Sequence, residues 1–582
     1  MIRWVREPQR FPYVLGAAYF LGMTVVMTWP AVTRLADATV SRPGDNLYFI
    51  WLIGWVQEAV FKLHQSPLVT DLLNYPEGWS LASTEMSPLV IGLALPFSLA
   101  GGPTLGYNVA ALLSFALSGF LIFVWIYRLT GSLWGALIGG TIFAFFPYRF
   151  SHYLAGHLNL LATPAVIAAF MCLDLALHDG NRSKRWAVAG GVSLGLVVLS
   201  SMYYFYMSLV MLACYLLFDL LLSRRERTPW RIYLKVLAIF GLASLPIVLV
   251  GIAPYISAAR AGLVPVRSLN AAISYSGSPT DYVLPFTGHP LWGWWVGANF
   301  NRAGWIENTL YPGFVACLLG LVALVAPRGS LPILRARAWA FGMTSAVAFV
   351  LSLGVTLHWG GWSVTFPLPS FLRWLYWEDG TSILMPGYLL YRFLPFYESL
   401  RVPARYVVYF ELFLSVLAGC GVAWILSRAK RRIGTLLGIA LLALVLVDFL
   451  PPRWNMIPVE GRAVDLWLRQ QPSTGAVAQF PFVQVDEQQL LYATLVHEKP
   501  YIGGLYGSFP TPQFNAVKPI LDEFPSPESL DLLRSLGVRY IVVDMAWYQE
   551  IHALDDVQLA LAAAGIEQVA ELEGQQVYLL KD

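Results

Sequence analysis

Arg42-Pro43-Gly44-Asp45-Asn46-Leu47-Tyr48-Phe49-Ile50-Trp51 places one carboxylate, Asp45, between a Pro-Gly turn and an apolar aromatic run. It follows the first long apolar segment, residues 11–32, which is uncharged and long enough to cross a bilayer. Which side of the membrane Asp45 faces therefore decides how the rest of the chain is read. Asp45 suits a general base or a cation ligand in a first outer loop. Read from the residues alone it suits a helix N-cap better, because an apolar helical run follows it directly. Residues 46–64 read as an amphipathic helix on the membrane surface, with Leu47, Ile50, Trp51, Gly54 and Trp55 on one side.

Composition supports the membrane reading. Of 582 residues, 57% are hydrophobic and 13% charged, with a mean hydropathy of +0.59. A soluble domain carries about a quarter charged residues. The net charge of +3 argues against a nucleic-acid binder. Cys172, Cys214, Cys317 and Cys420 all lie in apolar segments without metal-ligand spacing, so neither disulfides nor a cysteine metal site is expected. No small-residue cleavage site follows the first span, which reads as uncleaved.

Ten further spans are predicted near residues 103–127, 133–148, 158–175, 186–200, 203–222, 236–258, 308–326, 338–354, 406–427 and 433–450. The stretch 186–222 has basic flanks at both ends and is read as a hairpin turning near Ser200-Ser201. The apolar segment 86–100 is short and broken by Pro88 and Pro96, and is read as re-entrant or interfacial. Eleven crossings then put nearly every Arg/Lys cluster on one side, including Arg3, Arg6 and Arg10, Arg182 to Arg185, and Arg224 and Arg225. By the positive-inside rule that side is the cytoplasm, with the C-terminus outside. The outer loops are 35–103, 257–307 and 355–405.

After Pro451-Pro452 the pattern changes. Residues 455–582 read as a small α/β domain outside the membrane, following a membrane domain of residues 1–454. Strands are expected at 477–482 and 538–543, helices at 487–496, 529–536 and 557–564, and a closing hairpin at 566–580 around Glu573-Gly574.

Several residues carry the chemistry. His152 and His157, two of only eight histidines, share a short outer loop with Arg149. They suit a cation, a proton shuttle or a phosphate, and also plain interfacial polar residues. Arg401 and Arg405, spaced four apart, suit a lipid phosphate on one helix face or a pair of interfacial anchors. Glu411, inside the same span, is a candidate partner for Arg405. Glu307 opens a span from outside, where function and helix-dipole complementarity both fit. Glu85 and Glu77 are further acids of the first loop. The outer-loop tryptophans Trp292, Trp294, Trp295, Trp305, Trp359, Trp362, Trp374 and Trp377 suit a membrane belt or sugar stacking. No nucleotide-binding, serine-hydrolase or zincin motif is present, so an activated donor must arrive from the membrane or the outer side.

The order of first span, Pro43-Gly44-Asp45 loop, interfacial helices, Pro-broken segment, many spans and outer C-terminal domain resembles the GT-C superfamily of polyprenyl-phosphate-sugar-dependent membrane glycosyltransferases. Tyr75-Pro76-Glu77-Gly78, Phe146-Pro147-Tyr148-Arg149 with Gly156-His157-Leu158, and Leu400-Arg401-Val402-Pro403-Ala404-Arg405-Tyr406 resemble a bacterial multi-span branch related to it. The likeness covers about the first 450 residues.

It implies inverting transfer of a sugar from a lipid-phosphate donor to a glycan, lipid or protein acceptor on the outer face of the bacterial cytoplasmic membrane. Asp45 is then the base. Glu85, His152, His157 or Glu307 completes the catalytic set, and Arg401, Arg405 and Arg149 hold the lipid phosphate. No cofactor is demanded; a divalent cation, Mg²⁺ or Mn²⁺, is the one the resemblance admits, with Asp45 and His157 as ligands. Two other classes remain open: a transporter or flippase of a lipid-linked glycan, and a non-catalytic scaffold whose outer domain binds a partner.

Overall fold

The computed structural model describes residues 10–581 apart from 41–42, 181, 224–228, 263–267, 301–303, 328, 332, 334, 366, 368, 376–381, 483–486 and 508. Arg3, Arg6, Arg42, Arg224, Arg225 and Trp377 lie outside the described residues. The chain is mostly helical and divides into two compact units. One comprises Met1–Thr33, Ala111–Gly251 and Val266–Asn455; the other comprises Arg34–Ala110, Ile252–Pro265 and Met456–Asp582.

Among the described residues, six helices are long and apolar enough to span a bilayer: Arg10–Met27, Pro103–Thr130, Leu158–His178, Met202–Leu222, Trp230–Arg260 and Pro403–Leu426. Five more occupy the other expected spans. Leu133–Phe145 and Phe314–Val325 are short. Ser183–Ser200, Arg335–Ser352 and Arg431–Asp448 carry basic residues in their first turns. The break expected near Ser200-Ser201 is present as one extended residue, Ser201, between two helices. The Pro88–Gly101 helix has 14 residues, about 21 Å at 1.5 Å per residue, against a hydrocarbon core of about 30 Å.

In the first unit, Leu133–Phe145 packs on Val407–Leu426 through small residues. A Cβ on Gly135 would sit 2.5 Å from the Gly419 carbonyl oxygen, so the two backbones approach closely only because glycine is there. This unit also buries paired charges. The Arg337 guanidinium donates to both oxygens of Asp174, which also accept from Trp125 Nε1 (2.6 Å) and Tyr215 OH (2.8 Å). His178 lies 3.4 Å from Asp219, which accepts from Tyr233 OH at 2.7 Å. These carboxylates join neighbouring helices as paired groups rather than lining a path for ions.

In the second unit, the Asp45–Phe61 helix is not a surface helix. Asn46 through Val56 are all buried, and a helix apolar all round belongs in a core. It packs against Glu487–His497 and Pro88–Gly101. Its polar tips are satisfied by side chains: Trp51 Nε1 donates to Thr494 Oγ1 (3.0 Å), and Tyr48 OH to Thr84 Oγ1 (3.1 Å). Thr494→Val leaves the Trp51 indole N–H buried without an acceptor. The expected cost is about 1–3 kcal/mol, read as a lowered melting temperature of the detergent-solubilised protein.

The segment after Met456 contributes a four-stranded mixed sheet of β1 (Ala476–Phe480), β2 (Val538–Asp544), β3 (Glu567–Leu572) and β4 (Gln575–Leu579), in the order β1-β2-β4-β3. β1 and β2 are parallel; the β3–β4 hairpin adds antiparallel. Ala478, Phe480, Ile541 and Val543 from the parallel pair join Leu533, Leu561 and Tyr578 in one buried cluster.

Candidate active site

The first unit brings His152, His157, Glu307 and Arg405 together. Pro147 ends the incoming Leu133–Phe145 helix and starts the next, Pro147–Leu154, at its first position. That short helix is buried and carries Arg149 and His152 one turn apart. Gly156, at φ +78°, reverses the chain and brings His157 back onto His152. Their Nδ1 atoms lie 2.7 Å apart, so one ring donates to the other. Ser151 Oγ donates to the Ile306 carbonyl (2.9 Å), tethering this loop beside Glu307.

Glu307 lies in a turn well before the Phe314–Val325 helix, so helix-dipole complementarity is not its role. Its carboxylate accepts two bonds from Arg405, Nη2 to Oε1 at 2.6 Å and Nε to Oε2 at 3.2 Å. Burial opposes its ionisation, but the Arg405 guanidinium outweighs that and holds the carboxyl down at about 2. The Arg405 guanidinium lies over the Tyr203 ring at 4.5 Å. His152 is fully buried, which pushes its imidazole well below the ordinary range and keeps it neutral. Its Nε2 has no hydrogen-bond partner and points toward Glu307 Oε2 at 3.6 Å.

One ligand atom from each of His152, His157 and Glu307 falls within 4.8 Å of the others. Two imidazoles, a low-pKa carboxylate and an orphaned buried ring nitrogen fit a divalent cation. The nitrogen donors suit Zn²⁺ or Mn²⁺ better than Mg²⁺.

The arginines depart from expectation. Arg401 and Arg405 do not share a helix face. Arg401 lies between two 3₁₀ turns, Tyr397–Ser399 and Pro403–Tyr406, and only Arg405 is inside the second. Arg401 Nη2 donates to Tyr275 OH at 2.6 Å, with its guanidinium over that ring, while Arg405 turns inward to Glu307. Glu411 is not the partner of Arg405; its buried oxygens have no hydrogen-bond partner. Arg149 is 1% exposed and donates to Thr163 Oγ1 and to Ser114 Oγ (3.0 Å).

Asp45 and Glu85 belong to the second unit. The helix N-cap is Gly44, so Asp45 is the first helical residue and not the cap. It is half-buried, and Gln488 Nε2 donates to its Oδ1 at 3.3 Å. Glu85 is half-buried in the extended segment before Pro88–Gly101. Sequence reasoning missed Gln488 and Tyr203. Neither stands in a motif, and each meets its partner only through tertiary packing.

The site can be set beside known proteins. Structures with a similar fold include the mycobacterial arabinofuranosyltransferase AftD (TM-score 0.55, 14% identity, covering 99% of this chain and 40% of that one). The Archaeoglobus fulgidus oligosaccharyltransferase tethered to an acceptor peptide matches with a TM-score of 0.50 at 14% identity, over 99% of this chain and 74% of that one. ArnT from Cupriavidus metallidurans bound to undecaprenyl phosphate matches at 0.48 and 12% identity, over 99% of both chains. No curated protein matches by sequence. The fold is that of the GT-C glycosyltransferases. The sequence model described as Domain of unknown function (DUF6311) matches residues 13–377, and with more than half of its length so matched the chain belongs to the DUF6311 family.

Proposed function

We propose that the protein is a membrane glycosyltransferase that moves a sugar from a polyprenyl-phosphate donor to a glycan, lipid or protein acceptor on the outer face of the bacterial cytoplasmic membrane. The observation that carries this reading is the fold shared with AftD along essentially the whole chain. The charge distribution supports eleven crossings with a cytoplasmic N-terminus, which would put the C-terminal segment outside.

In this reading Asp45 accepts the proton of the acceptor hydroxyl as its oxygen attacks the anomeric carbon. The bond from that carbon to the phosphate oxygen breaks, and the polyprenyl phosphate leaves. Arg401, half-buried and set over Tyr275, is the phosphate ligand. Arg405 fixes Glu307, and Arg149, whose two Nη groups donate inside the bundle, has a structural role. His152, His157 and Glu307 would hold a divalent cation, which would supply positive charge to an anionic group there.

The test is incubation of the purified protein with a labelled polyprenyl-phosphate sugar and membrane acceptor extract. Label must pass to the acceptor, and an intact donor would end the reading. The cation site is tested without turnover. Mn²⁺ or Zn²⁺ at a hundredfold excess over its Kd is expected to stabilise the protein by about 2.7 kcal/mol, and His157→Ala to abolish the melting shift.

A further inference from the structure

The mechanism leaves unused a cleft of about 460 Å³ in the sheet-bearing part of the second unit. Ligand sites commonly have this size. It lies at the carboxyl ends of the two parallel strands. Pro481 and Phe482 follow β1 directly, and Trp547 and Tyr548 sit on the helix that follows β2. The crevice beyond the carboxyl ends of parallel strands is where open α/β sheets bind ligands.

Local structure explains the aromatic wall. Asp544, the last residue of β2, accepts from Trp547 N at 3.1 Å and caps the Met545–Glu550 helix, so the chain turns at once from strand to helix. Trp547 and Ile551, four apart, then stand on one side. Trp547 meets Tyr548 edge to face at 4.8 Å, and Phe524, stacked on Phe480 at 3.7 Å, closes the floor. Phe482, Phe524 and Tyr548 are buried, Trp547 is half-buried, and Ile551 is exposed at the mouth.

Among the described residues, the charged ones lining the cleft are Asp522 and Asp556, both exposed, and no lysine or arginine lines it. Asp522 is shared with Lys518, which stands outside the lining. Aromatic faces offer an apolar platform, and carboxylates accept from hydroxyl or amino groups. Acid at the rim repels phosphate and carboxylate ligands.

We infer that this cleft is a binding site for a non-anionic glycan, neutral or amino-bearing, stacked on Trp547 and hydrogen-bonded by Asp522 and Asp556. The inference concerns binding alone. It requires no donor and no Asp45, so it stands or falls separately from the transferase reading.

The experiment uses the full chain in detergent micelles and saturation-transfer NMR. The probes are a panel of neutral and amino oligosaccharides (malto-, cello-, chito- and chitosan tetramers), with oligogalacturonate as the anionic comparison. Binding of at least one non-anionic member, with little or none of the anionic one, is expected. Trp547→Ala should weaken it at least tenfold. Asp556→Asn and Ile551→Arg, both at exposed positions that leave the fold intact, should weaken it at least fivefold. Three results would overturn the assignment: no panel member bound at millimolar concentration by the folded protein, equal binding of oligogalacturonate, or unchanged binding in both exposed variants.

Discussion

Asp45→Asn is expected to lower sugar transfer by about 10²–10⁴-fold, the range a positioned general base contributes, with an unchanged melting temperature. The substitution is nearly isosteric. Asp45 is half-buried at the first turn of its helix, and an asparagine carbonyl still accepts from Gln488. What disappears is the capacity to take up a proton at neutral pH. Gln488→Ala tests the same assignment from the other side. It leaves the carboxylate but removes a group that aims it, and a loss of about 10–100-fold is expected, as for other groups that orient a functional side chain. A structural role for Asp45, as complement to the helix N-terminus, predicts the reverse: lower stability and unaltered turnover per folded molecule. Transfer by Asp45→Asn at the wild-type rate would remove Asp45 as the base.

The long apolar runs were readable because a membrane-spanning helix is a local property of about 20 residues. The strands at 476–480 and 538–544 and the hairpin around Glu573-Gly574 were also readable, since β-branched runs and turn chemistry are written in neighbouring residues. The Asp45–Phe61 helix was misread for a physical reason. Its residues 47, 50, 51, 54 and 55 were read as one apolar side laid on the membrane, yet the aromatics suit a core once Thr494 and Thr84 supply hydrogen-bond partners. Those partners are 443 and 36 residues away, and no window shows them. The site divides likewise. Two histidines five apart announce themselves, and their Nδ1 contact follows from one glycine turn. The Glu307–Arg405 pair, 98 residues apart, does not, and the spacing of Arg401 and Arg405 pointed instead to a shared helix face that the Pro403 turn prevents.

Arg405→Ala is expected to destabilise the protein by about 3–5 kcal/mol, measured by denaturation in mixed micelles. The cost comes less from the lost attraction than from what remains. Glu307 is 7% exposed and sits beside the unpartnered Nε2 of His152, so without Arg405 it must either stay charged in an apolar site or take up a proton. Arg405→Lys restores a charge without the two-pronged geometry and should recover only part of the loss. The double change Glu307→Gln with Arg405→Met removes both charges. It should be markedly more stable than Arg405→Ala, because replacing a buried pair together is far less harmful than orphaning one member. Yet the double variant also lacks the carboxylate proposed to join His152 and His157 at the cation. Stability regained while the Mn²⁺-dependent melting shift stays absent would separate the two duties of Glu307, holding the fold through Arg405 and holding charge for the chemistry. A double variant that still responds to Mn²⁺ would take Glu307 out of the cation site and leave it a purely structural acid.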